Sequence, residues 1–176
     1  MIKKRILIIF TIFFVLLSHS VQSQKILVIN LEYIINNSNQ YQEIIKIILK
    51  AQELKKNYFE KEEETIKSKL NEIENSKLIL SKNEIKLKID EYNKIFSNFK
   101  DDIDEFNFHY DNQISNIRNQ ILEKIVKLLE KYAIENKIDL IFDNKNYIIS
   151  SNSIDITDII LNELNTIDLN LQFDSL

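Results

Sequence analysis

The residues that could do chemistry in this 176-residue chain are few, and their spacing argues against catalysis. His19 and His109 are the only imidazoles, and there is no cysteine. A metal site needs converging imidazoles, thiolates or carboxylates, and a lone histidine has no such company. Asp101, Asp102, Asp104 and Glu105 form an acidic run, but it has no glycine and no loop spacing of a calcium site. It also lies within a helical pattern, where neighbouring carboxylates fan out in different directions. No Ser/His/Asp arrangement is spelled out, and a chain without glycine builds no phosphate-cradling loop. The Asn36-Asn37-Ser38 sequon is incidental in so Asn-rich a chain. The expectation is no catalytic residue, cofactor, metal or small-molecule substrate, and so no enzyme.

What remains is charge and apolar surface. Lys67, Lys69, Lys77, Lys82, Lys86 and Lys88 face only Glu72, Glu74 and Glu84 in the same stretch, a local charge of +3. From Lys100 to Asp111 the balance is −4. Such a polarised element offers its positive end to acidic partners or to an anionic membrane surface; the plainer reading is an ordinary solvated helix end. Phe96, Phe99 and Phe106, with Tyr58 and Phe59 opposite, form an aromatic group. Their heptad positions make them core between two helices before they make a binding surface. Phe108 is off that seam and is the candidate for a contact that faces a cavity.

The elements that must carry these residues are mostly helical. Ile85, Ile89, Tyr92, Phe96, Phe99, Ile103, Phe106 and Tyr110 follow at steps of 4, 3, 4, 3, 4, 3 and 4, so this helix lies along another. Ile114, Ile117, Ile121, Ile125, Leu128 and Tyr132 continue the stripe with a longer period. A partner helix runs from about Tyr41 to about Asn75, with Tyr41, Ile45, Ile48, Ala51, Leu54, Tyr58, Ile66, Leu70 and Ile73 on its stripe. That stripe fades over Glu60–Glu64. Ser81-Lys82-Asn83-Glu84 is a capping box that restarts the chain as a second helix to about Glu135. At 1.5 Å per residue the helices reach roughly 50 and 80 Å, too long for a compact domain. They therefore pair as an antiparallel hairpin with its tip near residues 76–81.

Around the hairpin lie short apolar runs. Lys25–Asn30 predicts a strand buried on both faces. Lys137–Phe142, Asp143–Asn146 and Tyr147–Ile149 predict strand, turn, strand. Asp155 opens a short helix to Leu164, with Ile156, Ile159, Ile160 and Leu164 on one face. Thr166–Leu176 reads as weakly structured. Three strands and one short helix make a small core that gains from association.

The N-terminus reads as a secretory signal: basic Lys3, Lys4 and Arg5, an apolar run of 12 residues from Ile6 to Leu17, and small Val21 and Ser23 before a cleavage site. The run spans roughly 18 Å, short of a bilayer core. From Gln24 onward, 20 basic residues stand against 27 acidic ones, a net charge of −7. Nucleic-acid binding needs a basic face, which this balance does not supply.

With these parts in order, the chain resembles the Skp/OmpH family of periplasmic chaperones. The most specific pieces are Asp139-Leu140-Ile141-Phe142-Asp143 and Asp155-Ile156-Thr157-Asp158-Ile159-Ile160-Leu161. They come after the KILVIN strand and the helical hairpin. The resemblance implies an α+β, mostly α fold: a small β body with a long projecting hairpin arm, assembled as a jellyfish-like homotrimer. It implies a body of residues 24–38 and 136–166, an arm of 39–135, and a single domain 24–176 after a signal peptide 1–23. Ile26, Leu27, Val28, Ile29, Leu140, Ile141 and Phe142 would form the trimer body. It implies an ATP-independent holdase of the periplasm that keeps unfolded outer-membrane β-barrel proteins soluble in a cavity between the arms. Many members are basic where this chain is acidic, so a lipopolysaccharide-binding role does not carry over. The reading from a different class is a structural coiled-coil adaptor or spacer of the cell envelope. Such a spacer needs no strands at the base of its arm.

Overall fold

The computed structural model describes residues 24–175, so the signal-peptide reading lies outside the described residues. The chain opens with strand β1 (Ile26–Ile29) and a short helix α1 (Leu31–Asn37). Helix α2 (Asn39–Ser76) and helix α3 (Lys82–Asn136) form the arm. Strand β2 (Leu140–Asp143), two 3-10 turns at Asn144–Asn146 and Asn152–Ile154, and helix α4 (Thr157–Leu164) complete the body.

β1 and β2 pair in parallel, with Ile26 opposite Leu140 and Ile29 opposite Asp143. Parallel neighbours need a long crossover, and here the crossover is the entire arm. Both roots of the hairpin are thus clamped side by side. The acidic residues of the two quoted sequence pieces do the clamping. Asp139 Oδ2 accepts from the Lys25 amide at 2.7 Å, and Asp143 Oδ1 accepts from the Leu31 amide at 3.1 Å. Thr157 Oγ1 accepts from the Asn30 amide at 2.9 Å and donates to Asp155 Oδ1 at 2.5 Å.

Two expectations about the body need correction. Tyr147–Ile149 is not a strand; the chain turns instead through 3-10 geometry, and Ile148 and Ile149 stand fully exposed. An apolar run alone does not distinguish a strand from apolar surface. The body therefore holds two strands, with one isolated bridge from Val28 to Asp155. Ile159 is also half-exposed, while Ile156, Ile160 and Leu164 are buried.

Helix α1 lies where no helix was expected. Asn30 caps it, accepting from the Tyr33 amide at 2.9 Å. Ser38 breaks α1 from α2 with an extended backbone (ψ 136°), and its hydroxyl donates to the Ile35 carbonyl at 3.1 Å. The Ser81–Glu84 capping box is present in full. α3 ends at Lys137, which holds the left-handed position (φ 53°) that glycine would favour. The Ile138 amide then returns to the Ala133 carbonyl at 2.9 Å.

The core sits where α1, α4 and the roots of the arm meet. Ile34, Ile48, Ile117, Ile121, Ile125, Ile160 and Leu164 are all sealed there. Toward the tip, packing thins. Tyr110 is the first fully buried residue of α3 counted from its start at Lys82. Over that distal stretch the buried seam residues come from α2, Phe59, Ile66 and Ile73, while the facing seam residues of α3 stay partly exposed.

The tail differs from its expectation too. It has no regular secondary structure, yet it is docked. Leu169 is buried, and Ile167, Leu171 and Phe173 pack against the core.

Candidate binding surfaces on the arm and body

The arm seam of α2 is more polar than its sequence stripe. Ile48, Phe59, Ile66 and Ile73 are buried, and Gln52, Lys55, Glu62 and Lys69 occupy the intervening heptad positions at intermediate exposure. Leu54 and Tyr58, expected on the stripe, are 66% and 50% exposed. Two of these polar seam residues, Lys55 and Lys69, have partners. Lys69 Nζ lies 3.6 Å from Glu91, and Lys55 Nζ lies 5.3 and 5.5 Å from the Tyr58 and Phe59 ring centres.

Midway along the arm an open groove of about 630 Å³ runs beside the seam. Leu49, Phe59, Phe99, Ile103 and Phe106 line it, and Glu53, Lys56, Glu60 and Glu63 stand at its edge. The Phe59 ring meets Phe99 and Phe106 edge-on at 5.9 and 5.3 Å, a favoured aromatic geometry. Phe59 is thus a buried seam residue at the floor of the groove, while Phe99 and Phe106 are seam residues that keep a half-exposed flank. Phe96 does not join them. It is 48% exposed and stacks on Tyr92 at 6.0 Å, while Ile95 takes the inward place. Phe108 is 70% exposed and away from the groove lining.

At the tip, Lys77 is paired with Glu74 at 2.5 Å and Lys69 with Glu91. Lys67, Lys82, Lys86 and Lys88 carry no ion pair among the described residues. Leu78 and Ile79 are 96% and 85% exposed at the turn, with Leu87 exposed nearby. The tip is therefore an apolar knob within a ring of lysines. The Leu78-Ile79-Leu80 run at a helix reversal was the sequence signal for it.

In the body, Leu27, Val28 and Ile29 are sealed within the chain's own core, whereas Ile26, Leu140 and Phe142 are partly exposed and Ile141 is intermediate. With Ile148 and Ile149 they leave apolar surface uncovered beside β2. His109 donates from Nε2 to the Asp174 carbonyl at 2.7 Å and stands edge-on to Tyr110.

A small α+β body bearing one long helical hairpin is the class of molecule these elements define. The profile of the OmpH-like outer membrane protein family matches residues 25–164, and the chain belongs to that family. The crystal structure, at 2.83 Å resolution, of a candidate outer membrane chaperone (OmpH-like) from Caulobacter crescentus CB15 is similar to it. The TM-score is 0.74 over 90% of this chain and 94% of that one, at 9% identity, a likeness of fold. No curated protein matches the sequence.

Proposed function

We propose that this protein is an ATP-independent holdase chaperone of the periplasm, exported by a cleaved signal peptide. It holds unfolded outer-membrane β-barrel proteins between helical arms. The observation that carries the reading is the open apolar groove on the flank of a projecting arm, its lip lined with charge. Each aromatic or aliphatic side chain of a client that enters it gains roughly 1.5–3 kcal/mol at most from burial. The charged lip keeps the empty groove wet and soluble. Many such weak contacts retain a chain without imposing a conformation on it. A spacer has no use for this groove.

The protein works as a homotrimer. A two-stranded sheet is marginal alone, and Ile26, Leu140, Phe142, Ile148 and Ile149 offer apolar surface beside it for neighbouring subunits. The tip lysines and the Leu78–Ile79 knob meet acidic client segments or, transiently, an anionic membrane surface. The test is dilution of a denatured β-barrel protein into buffer with and without the full mature chain, without nucleotide. The expected result is suppressed light scattering at a fixed trimer-to-client ratio. Undiminished aggregation would overturn the proposal.

A further inference from the structure

The tail after α4 carries apolar residues at every second position: Ile167, Leu169, Leu171 and Phe173. Between them stand Asp168, Asn170, Gln172 and Asp174. Burial follows the same alternation: Leu169 is buried, Ile167, Leu171 and Phe173 are half-buried against the core, and the four polar residues between and after them are exposed. The tail turns once at Asn170, which is left-handed (φ 49°) with its amide donating to Asp168 Oδ1 at 3.0 Å, and the alternation of burial continues on both sides of that turn. A period of two is the pattern of an extended segment with one covered face.

The arm reads the tail through its backbone. The Gln40 amide donates from Nε2 to the Ile167 carbonyl and accepts at Oε1 from the Leu169 amide at 2.8 Å. It supplies the donor and acceptor that a neighbouring strand would supply. His109 takes the Asp174 carbonyl at the far end. Between them Leu171 borders a recess with Ile44 and Ile47, and the Phe173 ring lies 5.8 Å from that of Tyr110. Tyr110 meets Phe106, a wall of the apolar groove, with ring centres 4.8 Å apart and planes tilted by 55°. The tail thus lies on a track that leads from the body into the groove.

We propose that this track is a docking site for extended polypeptide with alternating apolar side chains, and that the tail is its internal occupant, displaced when a client binds. Backbone hydrogen bonds with shallow apolar recesses at alternate positions are how extended peptides are recognised without a fixed sequence. Membrane-spanning strands of β-barrels carry this same alternation. The proposal rests on the chaperone reading and names the segment class that the arm takes first.

The test uses the full mature chain in three forms: the parent, a released-tail form with Leu171→Asp and Phe173→Asp, and a tethered form. In the tethered form Glu43→Cys and Asn170→Cys are joined by a short bismaleimide. The probe is a labelled peptide of residues 165–176 added in trans, beside an isomer with the same residues but its apolar ones clustered. Circular dichroism checks the fold of each form. If the tail covers the track in roughly nine molecules of ten, its release tightens peptide binding about tenfold, and tethering weakens it below the parent. The clustered isomer binds weakly to all three. Equal affinity of the alternating peptide for the three forms, or equal binding of the two peptides, would overturn the track. Aggregation of a denatured β-barrel protein is measured in parallel. A parent that fails there while the peptide series behaves as expected defeats the chaperone reading and leaves the track. A parent that holds the client while the peptide series is flat defeats the track alone.

Discussion

Arg118 donates from Nη2 to Glu32 at 2.7 Å, and this bond ties the long helix α3 to helix α1 of the body. The same guanidinium reaches Asn36 Oδ1 at 3.1 Å and the Tyr41 hydroxyl at 3.4 Å. One planar fork therefore joins α3 to α1 and to the first turn of α2 at the base of the arm. Lysine has a single point of attachment and cannot span these partners.

Arg118→Lys is expected to lower stability by about 1 kcal/mol, the upper range for a partly exposed ion pair, read from thermal or urea unfolding. The effect depends on pH. The Glu32 carboxyl is held below its ordinary value of 4.5, first by the Asn36 amide, whose effect burial opposes, and then by the charge and hydrogen bond of Arg118 and the charge of Lys145. A lowered carboxylate stabilises the fold above its unfolded pKa and loses that contribution as pH falls through the folded value. The gap between parent and variant should therefore be full at neutral pH and close below pH about 4.5. A gap that stays constant into acid would remove Glu32 from the account.

The body separates folding from assembly. Val28 is 4% exposed, and a carboxylate there costs several kcal/mol, so Val28→Asp should unfold the body and, with it, the proposed trimer. Ile148→Asp with Ile149→Asp puts charge on surface that the single chain leaves open. That variant should keep its helical circular dichroism yet lose the trimer by light scattering. Retention of the trimer would show that this surface is not the subunit interface.

Amide exchange should track burial along the arm. Residues 60–65 and 82–109, which lie on thinly packed seam, should exchange faster than 117–128, where Ile117, Ile121 and Ile125 are sealed. Glu62→Leu with Lys69→Leu fills two polar seam positions and should slow exchange around them. It should also narrow the range of client sizes retained. Uniform protection from base to tip would describe a stiff rod and favour the spacer.

The tip should act on encounter more than on residence. Lys82, Lys86 and Lys88 changed to Glu should slow association about tenfold at low salt and flatten its salt dependence. Leu78→Ser with Ile79→Ser should instead speed dissociation. Stopped-flow binding at two ionic strengths separates the two effects, and unchanged rates in both variants would exclude the tip.

The sequence was most legible where the signal is local. Ser81 and Glu84 stand three residues apart and close their box without help from the rest of the fold. Ile117 to Leu128 was legible because a sustained period leaves a helix one face to bury. Ile95 displaced Phe96 because a helix drifts about 20° per heptad against a strict repeat. Leu54 and Tyr58 were misplaced for a different reason. Their seam neighbours Gln52, Lys55 and Glu62 are polar, and an apolar stripe does not reveal a seam built partly of pairs. Of the candidate surfaces, Phe59, Phe99 and Phe106 were visible as a group, but the groove beside the seam was not, since its existence depends on how the helices pack. The tail carried its period of two openly; only its partner, Gln40, lay more than a hundred residues away.

The parallel pairing of Ile26 with Leu140 has a mechanical consequence. It holds the strands before and after the arm side by side, about 4.8 Å apart as neighbouring strands are, so the chain leaves the body and returns to it at one place. The hairpin is then a cantilever, built in at one end and free at the other, and its excursions grow with distance from the support. Residues near Tyr110 should then move little, whereas those near Leu78 should sweep more widely. One element thus provides a steady seat at its base and a searching probe at its end, with no joint between them.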